Sequence, residues 1–410
     1  MTLGSSSMDI RSLNDEEGRR KAFALFRQAL LGIGDLGRTS PETEAQLLAE
    51  GTPLGGFEGD VLRGVVNGYD SSITLPGGRR VRHLSVTHVG VAPDATRRGI
   101  ARLLITEQLR RARAEGYVVA GLRASDPRIY GRYGYGVASW SARHDLDLTR
   151  TELAISPSRE GLRIVDAREN FALFRRIADA DAKPRAATLS RWEGWWAMQK
   201  YRTVHSPTPH HAVVFGPEEG NERGYLRFHV EPSDNWFTSS SRAVVVDDLV
   251  AHDDEAWQVL IGHLFTQDIL HRVIFPSRPV DDPLPLLINN PRALEISGQR
   301  DESWIRPLDL EALLSARRYA GTRQVTIAVE DNVFHDNGGI WSLGPKGAER
   351  SSGKPEAYVT IAELATLIFG AQNASLLAAS GRIKAISADV AEELDRVFAT
   401  SRRPHSGISF

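Results

Sequence analysis

The chain of 410 residues carries 50 basic and 52 acidic side chains, a formal net charge of −2, and no cysteine. The near balance of charge removes any global pull toward nucleic acid or an anionic membrane, and the missing thiols exclude disulfides, a cysteine nucleophile and thiolate metal sites. No apolar run reaches the ~18 residues of a membrane helix, and residues 1–9 lack the apolar core of a secretory signal, so a cytoplasmic protein of two or three domains is expected.

Ala22, Phe23, Leu25, Phe26, Ala29 and Leu30 fit one face of a helix, which Gly32, Gly34 and Gly37 interrupt. Ser40 and Pro41 look like the cap and first turn of another helix that runs to Leu47 and Leu48. Residues 56–69 and 71–75 read as two strands, and Pro76-Gly77-Gly78 as a turn.

Residues 83–138 carry the densest signal. Leu84 and Val86 alternate in one phase, Val89 and Val91 in the other, which is the mark of a β-bulge. Pro93 ends that strand. After Thr96-Arg97-Arg98-Gly99, Ala101, Leu104, Ile105, Leu109 and Ala112 recur at helical spacing, with Gln108 as the polar interruption. Gly116 stops the helix and residues 117–122 form a buried strand. A strand, a basic glycine turn and a helix start together make an anion site: the first helical N–H groups are unpaired and the dipole adds positive potential. Gly99 admits a phosphate without a Cβ in the way. The Lys-Ser/Thr of a Walker loop and the GxGxxG of a dinucleotide fold are both missing. A pyrophosphate ligand of another kind is expected.

The run Val89-Gly90-Val91 … Pro93 … Arg97-Arg98-Gly99-Ile100-Ala101, followed by helix, strand and the loop 129–138 (IYGRYGYGVA), resembles the acetyl-CoA motif of the GNAT N-acetyltransferases. Together with Ala124-Ser125-Asp126, the tyrosine-glycine loop resembles the Eis family within them. Thr96 stands where the superfamily usually has Gln or Arg. The resemblance implies acetyl-CoA as cosubstrate. Its backbone contacts would come from Val89, Gly90 and Val91, its pyrophosphate contacts from Arg97, Arg98, Gly99, Ile100, Ala101 and Arg102, and further contacts from Ser125 and Asp126. Tyr130 is the candidate general acid, since a phenol of pKa ~10 can protonate a departing thiolate; Tyr133 and Tyr135 are the alternatives. No Asp or Glu stands out by spacing as a base. In the family the terminal α-carboxylate takes that role, here that of Phe410. The family also implies an aminoglycoside-like polyamine acceptor and a homohexamer built as a dimer of trimers. A protein-lysine acetyltransferase and an idle acyl-CoA or lipid binder are the competing readings.

From residue 161 the order of elements repeats: strands at 162–165, 212–215, 224–230 and 242–250, helices at 171–178, 189–201 and 255–268. At the motif position, however, Asp253, Asp254 and Glu255 stand where phosphates would bind, and like charges oppose that. Trp192, Trp195 and Trp196 read as core or subunit-interface residues. His210-His211, with His205 nearby, invites a metal reading, but adjacent side chains on a strand point to opposite faces, so no metal site is expected. In the last part, residues 308–316 form a helix and 323–330 a strand, joined by Asp336-Asn337-Gly338-Gly339 to the return strand 340–343. Further helices follow, the last capped by Ser387 with Asp389 in its first turn. This unit resembles the sterol-carrier-protein-like domain that ends Eis proteins. The expected fold is therefore mixed α/β: a GNAT domain over 1–150, a degenerate GNAT copy over 151–295 and a sterol-carrier-like domain over 296–410.

Overall fold

In the computed structural model, which describes residues 8–31, 41–181, 184–216, 218–233 and 235–409, the chain divides into two units. The first comprises residues 1–139, 186–197 and 301–410; the second comprises 140–185 and 198–300.

The first unit begins with strand β1 (Asp9–Ser12), helices α1 (Glu16–Leu30) and α2 (Pro41–Leu48), and strands β2 (Leu54–Glu58), β3 (Val61–Thr74) and β4 (Arg80–Val91). Asp15 caps α1 by accepting from Gly18 N at 2.7 Å, and Glu16 and Glu17 favour its first turn. Ala22, Phe23, Leu25 and Phe26 are buried, as their spacing requires, whereas Leu30 is 39% exposed. The glycines at 32, 34 and 37 and the expected Ser40 cap lie outside the described residues. The two strands expected at 56–69 and 71–75 differ in the structure. A turn at Gly59-Asp60 ends β2, and β3 then runs unbroken to Thr74. Asp70 does not interrupt β3, because its carboxylate accepts from Arg82 Nε of β4 at 2.9 Å.

β3 pairs antiparallel with β4. Helix α3 (Ile100–Ala114) and strand β5 (Val119–Leu122) follow, and β5 pairs parallel with β4. Short helix α4 (Pro127–Tyr130) leads into strand β6 (Gly136–Asp147). A strand not anticipated from sequence, Leu294–Pro307, pairs antiparallel with β5 from Trp304↔Leu122 to Pro307↔Val119. Leu104, Ile105 and Leu109 of α3 pack on Val66, Leu84 and Val86 in one core, which also holds Phe23, Phe26 and Tyr130.

The C-terminal part of this unit has its own sheet, in the order Gly347–Arg350, Gly339–Gly344, Val325–Glu330, Ala357–Thr360 and Lys384–Ala385. The expected hairpin is there, with Val325 opposite Leu343 and Val329 opposite Gly339. Ser387 accepts from Val390 N and caps the last helix, Ala388–Val397. This part is fastened by a buried ion pair: Arg306 Nη2 donates to both oxygens of Asp331, at 2.7 and 2.8 Å. Asp331 also accepts from Val333 N, Phe334 N and Asn337 Nδ2, so its carboxylate is well satisfied, whereas Arg306 Nε and Nη1 have no hydrogen-bond partner among the described residues.

The second unit repeats the strand–bulge–helix–strand pattern. Strand Ala243–Ala251 has an irregularity at Asp247, helix Asp254–Leu264 follows, and strand Arg272–Pro279 pairs parallel with the first. The helix expected at 255–268 starts at Asp254 and ends four residues early, at Leu264. Strands Gly224–Val230, His210–Phe215 and Leu162–Val165 continue the sheet antiparallel. Helix Glu193–Val204 begins four residues later than the expected 189–201, because residues 186–190 are extended and bridge to β3.

Candidate active site

α3 starts directly after a left-handed turn. Arg97 has φ 62° and Gly99 φ 81°. Gly99 occupies the cap position and supplies no side chain to the helix start. The N–H groups of the first turn therefore keep their capacity to bind an anion. A Cβ built on Gly99 meets nothing within 4 Å, so the approach is open. Arg97, Arg98 and Arg102 are all exposed around it. Arg98 is not a loose cation: Glu58 of β2 accepts from both of its Nη groups and also from Arg63 Nε at 3.1 Å. The Arg98 guanidinium holds the Glu58 carboxyl below its usual range against the opposing effect of burial.

The second unit shows why its equivalent helix start does not offer this. There Asp253 caps the helix by accepting from Ala256 N at 2.9 Å. Arg223 is in turn neutralised by Asp253 at 2.6 and 2.7 Å and by Glu255 at 2.8 Å. Carboxylates occupy the place of the anion.

Val89, Gly90 and Val91 lie on β4 just past the bulge. Val65 faces Gly90 and Asn67 faces Thr87, so His88 and Val89 stand opposite the single Val66. The parallel pairing of β4 with β5 ends at Ser85↔Gly121. Residues 86–91 thus run on beyond their neighbour, and their outward backbone edge is available to an extended ligand. His88 takes φ 49°, and its ring sits 5.2 Å from Phe23 and 4.6 Å from Phe26 between ring centroids. Burial lowers its pKa to about 4, so it is neutral near pH 7. Sequence reasoning passed over His88; the out-of-phase valines locate the bulge but not which side chain it turns.

Ser125 and Asp126 follow β5. Asp126 caps α4, accepting from Arg128 N at 3.0 Å and from Arg128 Nη2 at 2.8 Å. It is thus a local organiser of the loop that presents Tyr130. Tyr130 ends α4, is 5% exposed and meets Tyr135 edge-on at 6.0 Å. Burial pushes its phenol above the ordinary value, opposed by a hydrogen bond with Ser125. Tyr133 and Tyr135 are also buried, and the Tyr135 hydroxyl has no partner among the described residues. Gly134 and Gly136 of this loop answer to a neighbour, whereas Gly131 has open space. A Cβ at Gly136 would lie 1.8 Å from the carbonyl oxygen of Ala362. The C-terminal helix Ile361–Phe369 presses directly on the loop.

Phe410 lies outside the described residues. The segment leading to it is held by several hydrogen bonds. Ser406 is fully buried and donates to Glu302 from N at 2.9 Å and from Oγ at 2.8 Å. Glu302 also accepts from Ser139 Oγ at 2.7 Å, with His405 Nε2 at 3.2 Å and Arg123 Nη1 at 3.8 Å. Arg123, the residue after β5, donates to Ile408 O at 3.1 Å, and Trp195 Nε1 donates to Ser409 O at 3.0 Å. Backbone bonds from His405 N to Ala186 O and from Leu189 N to Ser406 O complete the anchorage. Ile408 therefore lies beside the end of the strand that leads to Tyr130. Glu302 was invisible as a site residue in the sequence, and Trp195, read there as a core or subunit-interface residue, reaches the tail only through the fold.

Three domain models match the chain: an acetyltransferase (GNAT) domain over residues 9–138, a second acetyltransferase (GNAT) domain over 187–313, and a sterol carrier protein domain over 310–407. An uncharacterized N-acetyltransferase of Streptomyces coelicolor is 30% identical over 365 residues, 85% of this chain and 86% of the relative. The N-acetyltransferase Eis of Mycobacterium tuberculosis is 28% identical over 364 residues, 84% of this chain and 85% of the relative. The crystal structure of Eis1 from Mycobacterium abscessus superposes with a TM-score of 0.91 at 34% identity, covering 98% of this chain and 100% of that one.

The chain belongs to the Eis family of GNAT N-acetyltransferases. It is an acetyltransferase with two GNAT domains, the second lacking the anion-binding turn, and a sterol-carrier-like domain. GNAT acetyltransferases use acetyl-CoA. Among the described residues, no helix is long and apolar enough to cross a membrane.

Proposed function

We propose that the chain transfers acetyl from acetyl-CoA directly to an amine of a small polyamine such as an aminoglycoside, with Tyr130 as general acid and the α-carboxylate of Phe410 as proton acceptor. The amine nitrogen attacks the thioester carbonyl, the C–N bond forms and the C–S bond breaks. The ammonium proton passes to the carboxylate and Tyr130 protonates the departing thiolate. Burial keeps Tyr130 protonated at neutral pH. Val89, Gly90 and Val91 would bind the extended arm of the cosubstrate, and Arg97, Arg98, Gly99, Ile100, Ala101 and Arg102 its pyrophosphate. Ser125 and Asp126 would act through the loop they organise.

The observation that carries this reading is the held tail: four hydrogen bonds tie residues 406–409 to Glu302, Trp195 and Arg123, the last at the end of β5. An idle binding protein has no use for such precision. The polyamine acceptor, the dimer-of-trimers hexamer and the cytoplasmic location rest on the family resemblance, and the last also on the absence of cysteine. We also propose functional segments at 1–150, 151–295 and 296–410, the first carrying acetyl-CoA. The test is thiol release from acetyl-CoA with a panel of aminoglycosides, polyamines and lysine peptides. Because the chain has no cysteine, a thiol reagent sees only released CoA. Release with aminoglycosides supports the proposal; release with peptides alone moves the activity to protein acetylation.

A further inference from the structure

Three neighbouring strands of the second unit bring an imidazole, a second imidazole and a carboxylate to one spot. His210 and His229 are direct cross-strand partners, with ring centroids 5.1 Å apart. Asp247 lies on the next strand, at the irregularity between Val246, opposite Phe228, and Asp248, opposite Arg227. A regular strand sends consecutive residues to opposite faces. The bulge lets both aspartates serve one face. Asp248 accepts from the Tyr225 hydroxyl at 2.5 Å, while Asp247 contacts His210 Nδ1 at 3.1 Å and His229 Nδ1 at 2.6 Å. His211 stacks on Phe228 instead and takes no part. The expectation that His210 and His211 cannot share a ligand is consistent with this geometry. His210 finds its partners across the sheet, where sequence adjacency gave no hint of them.

We propose that the second unit binds one divalent cation of the zinc–cobalt–nickel class through His210, His229 and Asp247. The candidate ligand atoms all lie within 4.8 Å of one another. In a tetrahedral site with bonds of ~2.0–2.2 Å, neighbouring ligand atoms stand ~3.3–3.5 Å apart. His210 Nδ1 meets one Asp247 oxygen at 3.1 Å and His229 Nδ1 the other at 2.6 Å, both shorter than that spacing, so the three side chains open slightly to admit a cation between the imidazoles and the carboxylate. The cation replaces the protons shared between the imidazoles and the carboxylate. Imidazole and carboxylate together select this class over magnesium or calcium, which take oxygen ligands. The side chains are 8%, 24% and 19% exposed in the order His210, His229, Asp247, enough for a cation to enter and for water to complete its shell. The site stands at the bulge preceding helix Asp254–Leu264. Where the first unit opens a slot at its bulge, the second gathers ligands that cross-link three strands.

The experiment uses the full-length protein, stripped with chelator and titrated with Co²⁺. No thiolate contributes to the visible d–d absorption, since the chain has no cysteine. Saturation at one equivalent is expected, displaced by Zn²⁺, with at least ~10-fold weaker binding in Asp247→Asn and His229→Gln. Zn²⁺ should also raise Tm of the wild type but not of Asp247→Asn. Absence of one-equivalent saturation, or unchanged affinity in Asp247→Asn, overturns the proposal. Should the variants not fold, paramagnetic broadening by Co²⁺ of histidine imidazole NMR signals in the wild type decides. Loss at His210 and His229 supports the site; loss confined to other histidines overturns it.

Discussion

Replacing Glu302 by alanine should release the C-terminal tail and, with it, the proposed base. Burial pushes the Glu302 carboxyl up, but His405, Ser406 N, Ser139 and Arg123 outweigh it and hold the group below the usual carboxylate range. It is therefore a charged acceptor throughout the neutral range. Ordering residues 404–409 costs on the order of 9 kcal/mol of conformational entropy. Against this stand the burial of Ile408, about 2 kcal/mol, and two charge-assisted bonds from Ser406 to Glu302, about 2 kcal/mol each. The bonds from Arg123, Trp195, His405 N and Leu189 N add about 1 kcal/mol apiece. The gains come to about 10 kcal/mol, so the docked tail is only slightly favoured. Losing both Glu302 bonds removes about 4 kcal/mol, close to a 10³-fold shift toward release. Steady-state kinetics should show kcat lower by at least ~100-fold, with KM for acetyl-CoA within ~2-fold. Amide exchange at Ser406, protected only ~5-fold by a docking free energy of about 1 kcal/mol, should rise to nearly the rate of an unprotected chain. Glu302→Gln, which keeps the side-chain shape, guards against a folding defect and should show a smaller effect of the same kind. Faster exchange with turnover intact would remove the terminal carboxylate from the mechanism. Unchanged protection of the tail would refute Glu302 as its anchor.

Deleting Phe410 alone should abolish turnover and leave acetyl-CoA affinity nearly unchanged, as read by kinetics and equilibrium binding. Tyr130→Phe should lower kcat by ~10²–10⁴-fold before it raises KM, since it removes a proton donor needed at the transition state; an unaltered kcat hands the role to another group. Gly99→Val forces a β-branched residue into φ 81° and sets a side chain at the anion approach. Calorimetry should find acetyl-CoA binding at least ~10-fold weaker, and equal binding would place the pyrophosphate elsewhere. His83 is fully buried, and burial lowers its pKa to about 3. The unfolded chain then binds more protons below its ordinary ~6.5, so stability falls as pH drops from 6.5 toward 3, by about 3 kcal/mol between pH 7 and 4. Urea unfolding of His83→Gln should show a flatter dependence over that window; an identical slope assigns the acid sensitivity to other groups.

Local signals were legible wherever the physics is local. The phase flip between Val86 and Val89 announced the bulge, because one inserted residue reverses the facing of every side chain after it. Gly99 before a periodic apolar run announced an open helix start, whereas Asp253, read from sequence only as a charge opposing phosphate, proves to cap the equivalent helix. Ser387 ahead of Val390 marked the last helix for the same reason. The domain content followed from these signals in order, and family resemblance supplied what the signals meant chemically.

What required the fold is every contact between residues far apart in the chain. Glu302 sits 104 positions from Ser406 and 163 from Ser139, in a strand with no distinguishing periodicity. The glycine at 136 reads as turn chemistry, yet the approach of Ala362 is what forbids a side chain there. His210, His229 and Asp247 sit on separate strands, and only the pairing register and one bulge set them together. Sequence by itself determined the periodic helices, the bulged strand and the glycine turn, since these depend on near neighbours, but not the strand Leu294–Pro307. Tertiary structure alone decided which carboxylate holds the tail and which histidines meet, because hydrogen-bond partners across a sheet are chosen by register and packing rather than by distance along the chain.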